Sequence, residues 1–379
     1  MTSKERLIAA LRCEDVDYVP MVLNFWKHPL HPKCTWTNER ERIAFYLDHG
    51  WDATVTTSTW VTPAPAVRVQ VEHESQAGKD IIKQTWHTPA GKLVERLEIT
   101  DDWVEAKGVT DYIPLDSDFR TSRYIEAPIK PDTDPAVFEY LFPKDNPRDI
   151  KGLENRLRSI RELGGEFQLP VILEHLAGMD WLLWLFPAEE MVFMAIDHRP
   201  LVEALLNQIN KAFRARLEFA LAFGVDAVQR RGLYETTDFW SPDTFGELAR
   251  PAVEQETAMT HDAGAVFLYD MMTGMVPLLP QLAEMSFDCL IDVDPAYVEE
   301  PGLSAIKKGL PGKSIWGGIS APEHIGRGTP AQTERAVEAA FDVCGHNGFI
   351  LGPRAGIRSD WPWDNVMACD TAWRRCREP

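Results

Sequence analysis

Short apolar runs that alternate with helix-forming segments are the feature that most constrains the fold of this chain. The runs are rich in valine, isoleucine and leucine, as in strands that are buried on both faces of a parallel sheet. Eight of them lie at residues 19–23, 53–59, 169–173, 227–230, 265–268, 289–293, 315–318 and 349–351. Helical segments lie between them, for example over residues 201–223 and 242–263. Eight strands that alternate with helices predict an α/β protein with a (β/α)8 TIM barrel.

A different pattern interrupts this rhythm between residues 66 and 130. Residues 67–71 and 92–99 alternate apolar and polar side chains, and the sequence Thr-Pro-Ala-Gly at 88–91 suits a turn between strands. The pattern predicts an antiparallel β insertion over one end of the barrel. This insertion is either a structural addition or a surface that contacts the substrate or a partner. With it, residues 1–379 are expected to form a single domain.

The charge balance and the cysteines restrict the partners and the compartment. The net charge is −19, whereas nucleic acids and anionic membranes require a basic face. No apolar run approaches the roughly 18 residues that cross a membrane. The six cysteines are scattered without a Cys-x-x-Cys pair, which is typical of reduced thiols. We therefore expect a cytoplasmic protein that binds neither nucleic acid nor a membrane.

Polar side chains follow most of the predicted strands, where parallel barrels carry their chemistry. Carboxylates dominate this set, which suits metal binding, proton transfer or recognition of a cation. Each residue also has a structural explanation, such as a buried histidine bonded to a carboxylate, or Asp292 and Asp294 capping the turn at Pro295. The candidates for catalysis are His175, Tyr234, Glu235 and Asp270, and those for substrate binding are Asn24, Phe25, Trp26, Glu174 and Arg354.

Several segments resemble the uroporphyrinogen decarboxylase superfamily, namely residues 1–20, 224–229, 241–245, 316–320 and 348–365. The resemblance implies a (β/α)8 barrel. It also implies either a porphyrin decarboxylase or a methyltransferase that moves a methyl group to or from a corrinoid (cobalamin). The decarboxylases carry an arginine-rich signature after the first strand. Here residues 24–29 read Asn-Phe-Trp-Lys-His-Pro, so decarboxylation of a porphyrin is not expected.

The methyltransferase branch divides further. Members that methylate thiols hold zinc with a His-x-Cys motif and a later cysteine, but the corresponding positions here are Asp270, Met272 and Ala355. The remaining resemblance is to the methyltransferases that begin the O-demethylation of aromatic methyl ethers, of the veratrole or vanillate type. This resemblance implies a corrinoid protein as the partner and a small aromatic methyl ether as the substrate. A homodimer is also expected by resemblance, although no residue pattern requires it.

Two ways of activating the ether oxygen stay open. Some of these O-demethylating enzymes have the ligand pattern Glu-x14-Glu-x20-His, and Glu139, Glu154 and His175 fit this spacing. A metal ion such as zinc on these residues would act as a Lewis acid. Alternatively, Tyr234, Glu235 or Asp270 would donate a proton to the leaving oxygen.

The resulting hypothesis is a methyltransferase that passes the methyl group of an aryl methyl ether to the cobalt(I) corrinoid of a partner protein and releases a phenol. Two alternatives remain. One is a lyase of the same superfamily that acts on a small carboxylate, with Arg354 and Arg230 as its anchors. The other is a barrel without catalytic activity that binds a methoxylated ligand or a corrinoid.

Overall fold

The computed structural model of the protein describes residues 1–27, 29–101, 112–117, 120–298, 302–353 and 356–378. The chain divides into two compact units. Unit 1 consists of Met1–Ser58, Leu153–His175 and Glu218–Pro379, and unit 2 consists of Thr59–Gly152 and Leu176–Leu217. Each unit contains its own β-sheet, with seven strands in unit 1 and four strands in unit 2 among the described residues.

The strands and helices alternate along most of the chain, as the sequence predicts. The strands are β1 (Val55–Ser58), β2 (Arg68–Gln76), β3 (Lys79–Thr88), β4 (Gly91–Ile99), β5 (Tyr124–Glu126), β6 (Val171–His175), β7 (Ala227–Arg231), β8 (Val266–Asp270), β9 (Cys289–Val293), β10 (Ser314–Ile319) and β11 (Phe349–Pro353). The α-helices are α1 (Ser3–Leu11), α2 (Glu39–Asp48), α3 (Phe138–Leu141), α4 (Pro147–Phe167), α5 (Asp180–Leu185), α6 (Ala188–Asp197), α7 (Arg199–Ala222), α8 (Pro242–Leu248), α9 (Arg250–Asp262), α10 (Leu279–Glu284), α11 (Gly302–Gly309), α12 (Pro330–Cys344) and α13 (Trp363–Cys376). None of these helices is long and apolar enough to cross a membrane.

The sheet of unit 1 is parallel, in the order β1-β6-β7-β8-β9-β10-β11. The predicted first strand, residues 19–23, is not a strand of this sheet. Instead, Met21 forms a single parallel bridge with Leu351, and its carbonyl accepts the N–H of Asp52 at 3.1 Å. Pro20 has no N–H to donate, so a continuous ladder cannot form here. The described part of the sheet therefore has seven strands rather than the predicted eight.

A core cluster on one face of the sheet fixes the direction of the side chains in unit 1. Ile172, Ala227, Leu268 and Ile291 pack there with α1. Successive side chains of a strand point to opposite faces, so residues two positions further along each strand lie on this same face. We call it the inner face, and the opposite one the outer face.

Helix α1 closes the inner-face cluster through Leu7, Ala10 and Leu11. Thr2 caps the helix, since its side chain accepts the N–H of Glu5 while the Glu5 carboxylate accepts the N–H of Thr2. This reciprocal pair is a capping box, which satisfies two backbone donors that the first turn leaves without partners. Thr2 and Ser3 both suit a helix N-cap by residue type, and the structure begins the helix there with Thr2 as the cap.

Two other predicted helix boundaries differ from the structure. The segment 242–263 forms two helices, α8 and α9, because the chain turns at Ala249 and because Pro251, the second residue of α9, has no N–H to donate. Asp364 and Asn365 suit a helix N-cap by residue type and so predict that the last helix begins there, but α13 begins at Trp363, directly after Pro362. The Asn365 side chain instead donates to the carbonyls of Ile325 and Gly328, both at 2.8 Å.

The predicted antiparallel insertion is confirmed as the sheet of unit 2, in the order β2-β3-β4-β5. Ala77 and Gly78 connect β2 to β3 with positive φ angles of 52° and 78°, as a tight hairpin requires. The buried carboxylate of Glu95 accepts hydrogen bonds from Gln84 and Trp86 and pairs with the buried guanidinium of Arg120. Unit 2 extends beyond the predicted 66–130 to include residues 59–152 and 176–217.

Candidate active site

The alternation of side chains divides the predicted site residues of unit 1 into two groups. Glu174 and Asp270 follow the inner-face core residues Ile172 and Leu268 by two positions, so they lie on the inner face at the carboxyl ends of their strands. His175 is the next residue after Glu174 and therefore lies on the outer face. The sequence prediction treated the adjacent residues Glu174 and His175 as one site, whereas the structure separates them by the thickness of the sheet.

The inner-face group brings together acids, an amide and an arginine. Ser58 lies in register with Glu174, and its hydroxyl donates to the Glu174 carboxylate at 2.5 Å. Gln229 and Arg231 are on the inner face of β7, since they follow Ala227 by two and four positions. Four side chains of this group are half-buried rather than fully buried, namely Ser58, Glu174, Gln229 and Arg231. This end of the inner face is therefore accessible to a small molecule.

Asp270 has the most unusual environment in this group. Its side chain is buried, with only 4% of the residue exposed. Oδ2 accepts the Gln229 amide at 3.0 Å, whereas Oδ1 has no hydrogen-bond partner among the described residues. Burying a polar oxygen without a partner is costly, and such groups in native proteins often contact a ligand or take part in catalysis. Asp270 is therefore the strongest candidate in the described residues for a group that meets a substrate.

The outer-face group is a buried ion-pair network centred on Arg230. The Arg230 guanidinium contacts both carboxylate oxygens of Glu235, and its Nε donates to Glu256 of α9 at 2.7 Å. The Tyr269 hydroxyl donates to Glu235 at 2.5 Å. The other oxygen of Glu256 lies 3.5 Å from Nε2 of His175. All five side chains are buried.

Charge pairing, rather than solvent, sets the ionisation of this network. Burial alone would raise the pKa of Glu256, but the attraction of Arg230 and His175 outweighs it and lowers the pKa of Glu256 below its usual value of 4.5. Burial disfavours the charge of Arg230, but Glu235 and Glu256 outweigh this and raise the pKa of Arg230 well above its usual value. Arg230 is committed to these carboxylates, so it does not suit the role of a substrate anchor that the lyase alternative gave it.

Tyr234 lies in the loop after β7. It is half-buried, and its ring meets Phe239 edge to face at 5.6 Å. Its carbonyl accepts the indole N–H of Trp240 at 2.8 Å. The structure therefore holds the backbone of Tyr234 in place by contacts with residues further along the same loop.

The predicted substrate contacts Asn24, Phe25 and Trp26 differ in how far they are exposed to solvent. Phe25 is 5% exposed and stacks between Trp51 and Trp363, with centroid distances of 6.3 and 5.9 Å, so its ring belongs to an aromatic core. Trp26 is 51% exposed, and the Arg358 guanidinium lies 5.7 Å from its ring centroid. Asn24 is also exposed. Of these three predicted substrate contacts, Asn24 and Trp26 are accessible and Phe25 is not.

The spacing of Glu139, Glu154 and His175 predicts a metal site on these three residues. Glu139 is exposed on α3, and Glu154 pairs with Arg158 one helical turn further along α4 at 2.6 Å. His175 instead faces Glu256. No group of three or more histidine, cysteine, aspartate or glutamate residues in the described ranges is arranged to hold a metal ion. The remaining predicted contact, Arg354, lies outside the described residues.

The loops after β9 and β10 add a histidine that the sequence prediction did not include. The backbone N–H of Ser320 donates to Nδ1 of His324 at 3.0 Å, and burial lowers the pKa of His324 below its usual 6.5.

In the loop after β9, Asp294 caps the turn at Pro295, since its side chain accepts the N–H of Ala296 at 2.9 Å. The capping alternative is therefore the one that the structure supports for Asp294.

Known proteins resemble this chain in sequence and in fold. The family model described as uroporphyrinogen decarboxylase (URO-D) matches residues 123–375. Among solved structures, a methyltransferase from Methanosarcina mazei is 16% identical, and the match covers 99% of each chain with a TM-score of 0.63. A B12-independent methionine synthase from Shewanella sp. W3-18-1 is 13% identical over 59% of this chain and 66% of its own, with a TM-score of 0.43. No curated protein matches the sequence.

Proposed function

The chain belongs to the uroporphyrinogen decarboxylase family, and we propose that within this family it is a methyltransferase. The methyltransferase from Methanosarcina mazei, which matches the chain over 99% of its length, supports this proposal. Because residues 24–29 lack the arginine-rich signature of the porphyrin decarboxylases, decarboxylation remains the less suitable reaction. More specifically, we propose that the methyl donor is an aryl methyl ether and that the acceptor is a cobalt(I) corrinoid, which a partner protein brings as the second substrate.

The observation that carries the proposal is the buried Asp270, whose Oδ1 has no hydrogen-bond partner in the described part of the chain. In an aryl methyl ether the bond between the methyl carbon and the oxygen must break, and both electrons stay on the oxygen. The leaving phenolate has a conjugate acid with a pKa of about 10, as for tyrosine, so it leaves slowly unless its oxygen is protonated. Asp270 is the group that we assign to this proton transfer.

In this mechanism the methyl group moves to the cobalt(I) of the corrinoid while Asp270 gives its proton to the ether oxygen. The products are a methylcobalt(III) corrinoid, a neutral phenol and the carboxylate form of Asp270; cobalt(I) supplies the electron pair of the new bond to the methyl group, so charge and electrons balance. Gln229 holds the other oxygen of Asp270 at 3.0 Å and thereby orients the acid. The exposed ring of Trp26 suits contact with a flat aromatic substrate. The described residues include no group of three or more histidine, cysteine, aspartate or glutamate side chains arranged to hold a metal ion, so we derive no step through one.

The test is a methyl-transfer assay. The purified protein is mixed with a cobalt(I) corrinoid protein and aryl methyl ethers of the veratrole, guaiacol and vanillate types. Formation of methylcobalt(III) is followed by absorbance, and release of the phenol is followed by chromatography. We expect both products in equal amounts. If none of the ethers is demethylated, or if the protein acts without any corrinoid, the proposal is rejected.

A pair of variants tests the role of Asp270. Asp270→Asn keeps the shape of the side chain but removes its acidic proton, and should lower the rate of methyl transfer by about 10²- to 10⁴-fold. Asp262→Asn makes the same change at an exposed position at the end of α9 and should leave the rate unchanged. A full rate in Asp270→Asn would remove this residue from the mechanism.

A further inference from the structure

We infer that Glu235 and Tyr269 of the outer-face network are positioning residues for Asp270 on the inner face. The inference rests on the proposed function only for its catalytic consequence. Its structural part concerns how the network holds the backbone of residues 230–235 against that of Asp270. It gives two of the buried, outer-face residues a role other than contact with the substrate.

Strands β7 and β8 are parallel neighbours, and their register places the outer-face network next to Asp270. Arg230 lies beside Tyr269, and the next pair along the two strands is Arg231 and Asp270. The first pair is therefore on the outer face and the second on the inner face, one residue apart. Any movement of the outer pair along the strands is passed on to the inner pair through a single peptide unit.

The loop after β7 is held against the strand by an ion pair between Arg230 of β7 and Glu235 of the loop. Glu235 lies five residues beyond Arg230 and folds back so that both of its oxygens contact the Arg230 guanidinium. The Tyr269 hydroxyl donates to the same carboxylate at 2.5 Å. An arginine that binds both oxygens of a carboxylate fixes its geometry as well as its distance. The loop is thereby tied to β7 at its base and to β8 beside it.

This loop is in turn hydrogen-bonded to the backbone of Asp270. The N–H of Gly232, within the closed loop, donates to the carbonyl of Asp270 at 3.0 Å. A Cβ at position 232 would lie 2.5 Å from the Tyr269 ring and 3.0 Å from the Glu235 carboxylate, so only glycine allows this approach. The chain of contacts thus runs from Glu235 through Gly232 to the backbone that carries the Asp270 side chain.

The experiment compares Glu235→Gln and Tyr269→Phe with the wild-type protein. The first removes the charge that holds Arg230, and the second removes a single hydroxyl and keeps the ring. Amide hydrogen exchange of Gly232, measured in the native protein, reports the bond to Asp270 without any need for catalysis. We expect exchange about tenfold faster in both variants, because the loop opens more often. Glu334→Gln, in an exposed pair with Arg375, is the control and should not change it.

A double-mutant comparison tests the catalytic consequence. If the network positions Asp270, each variant should lower kcat by about 10- to 100-fold with little change in KM, because a small displacement of the acid slows the reaction. In the Asp270→Asn background the same substitutions should cause almost no further loss, whereas purely structural damage would lower the rate again by a similar factor.

The possible outcomes separate this inference from the proposed function. Faster exchange at Gly232 in both variants, together with a wild-type protein that transfers no methyl group, would uphold the positioning contact and reject the assigned reaction. Unchanged exchange in both variants would overturn the inference even if methyl transfer is observed. Additive losses of kcat in the double variants would likewise overturn it, because Asp270 would then not be the residue through which the network acts.

Discussion

Replacing Arg230 by methionine would leave the buried carboxylates of Glu235 and Glu256 without their guanidinium partner. Arg230, Glu235 and Glu256 are all fully buried, so solvent cannot take over the role of the cation. Removing one partner of a buried ion pair typically costs about 3–5 kcal/mol. We therefore expect Arg230→Met to lower the free energy of unfolding by about this amount at pH 8, a large share of the roughly 5–15 kcal/mol that stabilises a typical domain.

The loss of unfolding free energy in Arg230→Met should be larger at pH 8 than at pH 5. In the wild-type protein Arg230 keeps the pKa of Glu256 below 4.5, so this stabilising contribution is present above pH 4.5 and is lost as the pH falls through the lowered value. In the variant no guanidinium opposes burial, and the pKa of Glu256 should rise above 4.5 instead. The variant then gains stability by taking up protons as the pH falls. The difference between the two proteins should therefore shrink between pH 8 and pH 5.

The assay is urea unfolding followed by tryptophan fluorescence at pH 8 and pH 5. Arg375→Met is the matched control, since Arg375 also contacts two glutamates, Glu334 and Glu338, but on the exposed surface. Exposed pairs contribute little, so the control should unfold at the wild-type urea concentration. A loss for Arg230→Met below about 1 kcal/mol, or one that is the same at both pH values, would refute this reasoning.

Two further predictions concern packing and the thiols. Gly317→Ala should unfold the protein at markedly lower urea, because a Cβ there would lie 2.3 Å from the carbonyl oxygen of Val293, whereas Gly165→Ala, with no neighbour within 4 Å of its Cβ, should raise the midpoint through higher helix propensity. Equal midpoints would contradict both. Iodoacetamide at pH 8 should label the half-buried Cys13 and Cys376 of the native protein before the buried thiols, as peptide mass spectrometry can measure. The buried thiols are Cys34, Cys289, Cys344 and Cys369. Burial raises the pKa of Cys34 from 9.0 to about 12, so its contribution to stability should be complete below pH 9 and lost as the pH rises towards 12.

Most of the fold could be predicted because each buried parallel strand corresponds to a short apolar run in the amino-acid sequence. The runs at 227–230, 289–293 and 349–351 became strands within two residues of the predicted ends. The prediction was wrong where one residue removed a backbone donor. Pro20 reduces the first predicted strand to a single bridge, and Pro251 contributes to the division of a predicted helix into α8 and α9.

The site was harder to predict, for a physical reason. Both faces of a parallel sheet are buried, so the sequence shows no alternation that distinguishes inner from outer residues. Glu174 and His175 read alike, as do Arg230 and Arg231, yet one member of each pair lies on each face. Asp270 could be recognised as a candidate from its position after an apolar run. Glu256 could not, because it lies on a helix and meets His175 only through the packing of that helix on the sheet.

The packing of α1 has a consequence for synthesis of the protein. The Ser314 hydroxyl bonds to the carbonyl of Leu11, and 303 residues separate the two. A ribosome that adds about 5–20 residues per second needs about 15–60 s to reach the strand that covers this helix. Throughout that interval Leu7 and Leu11 have no partner from β10, and the nascent chain presents an apolar helix to chaperones and proteases. The arrival of β10 and β11 therefore completes the packing around this helix, and ribosome pausing before residue 314 would prolong its exposure.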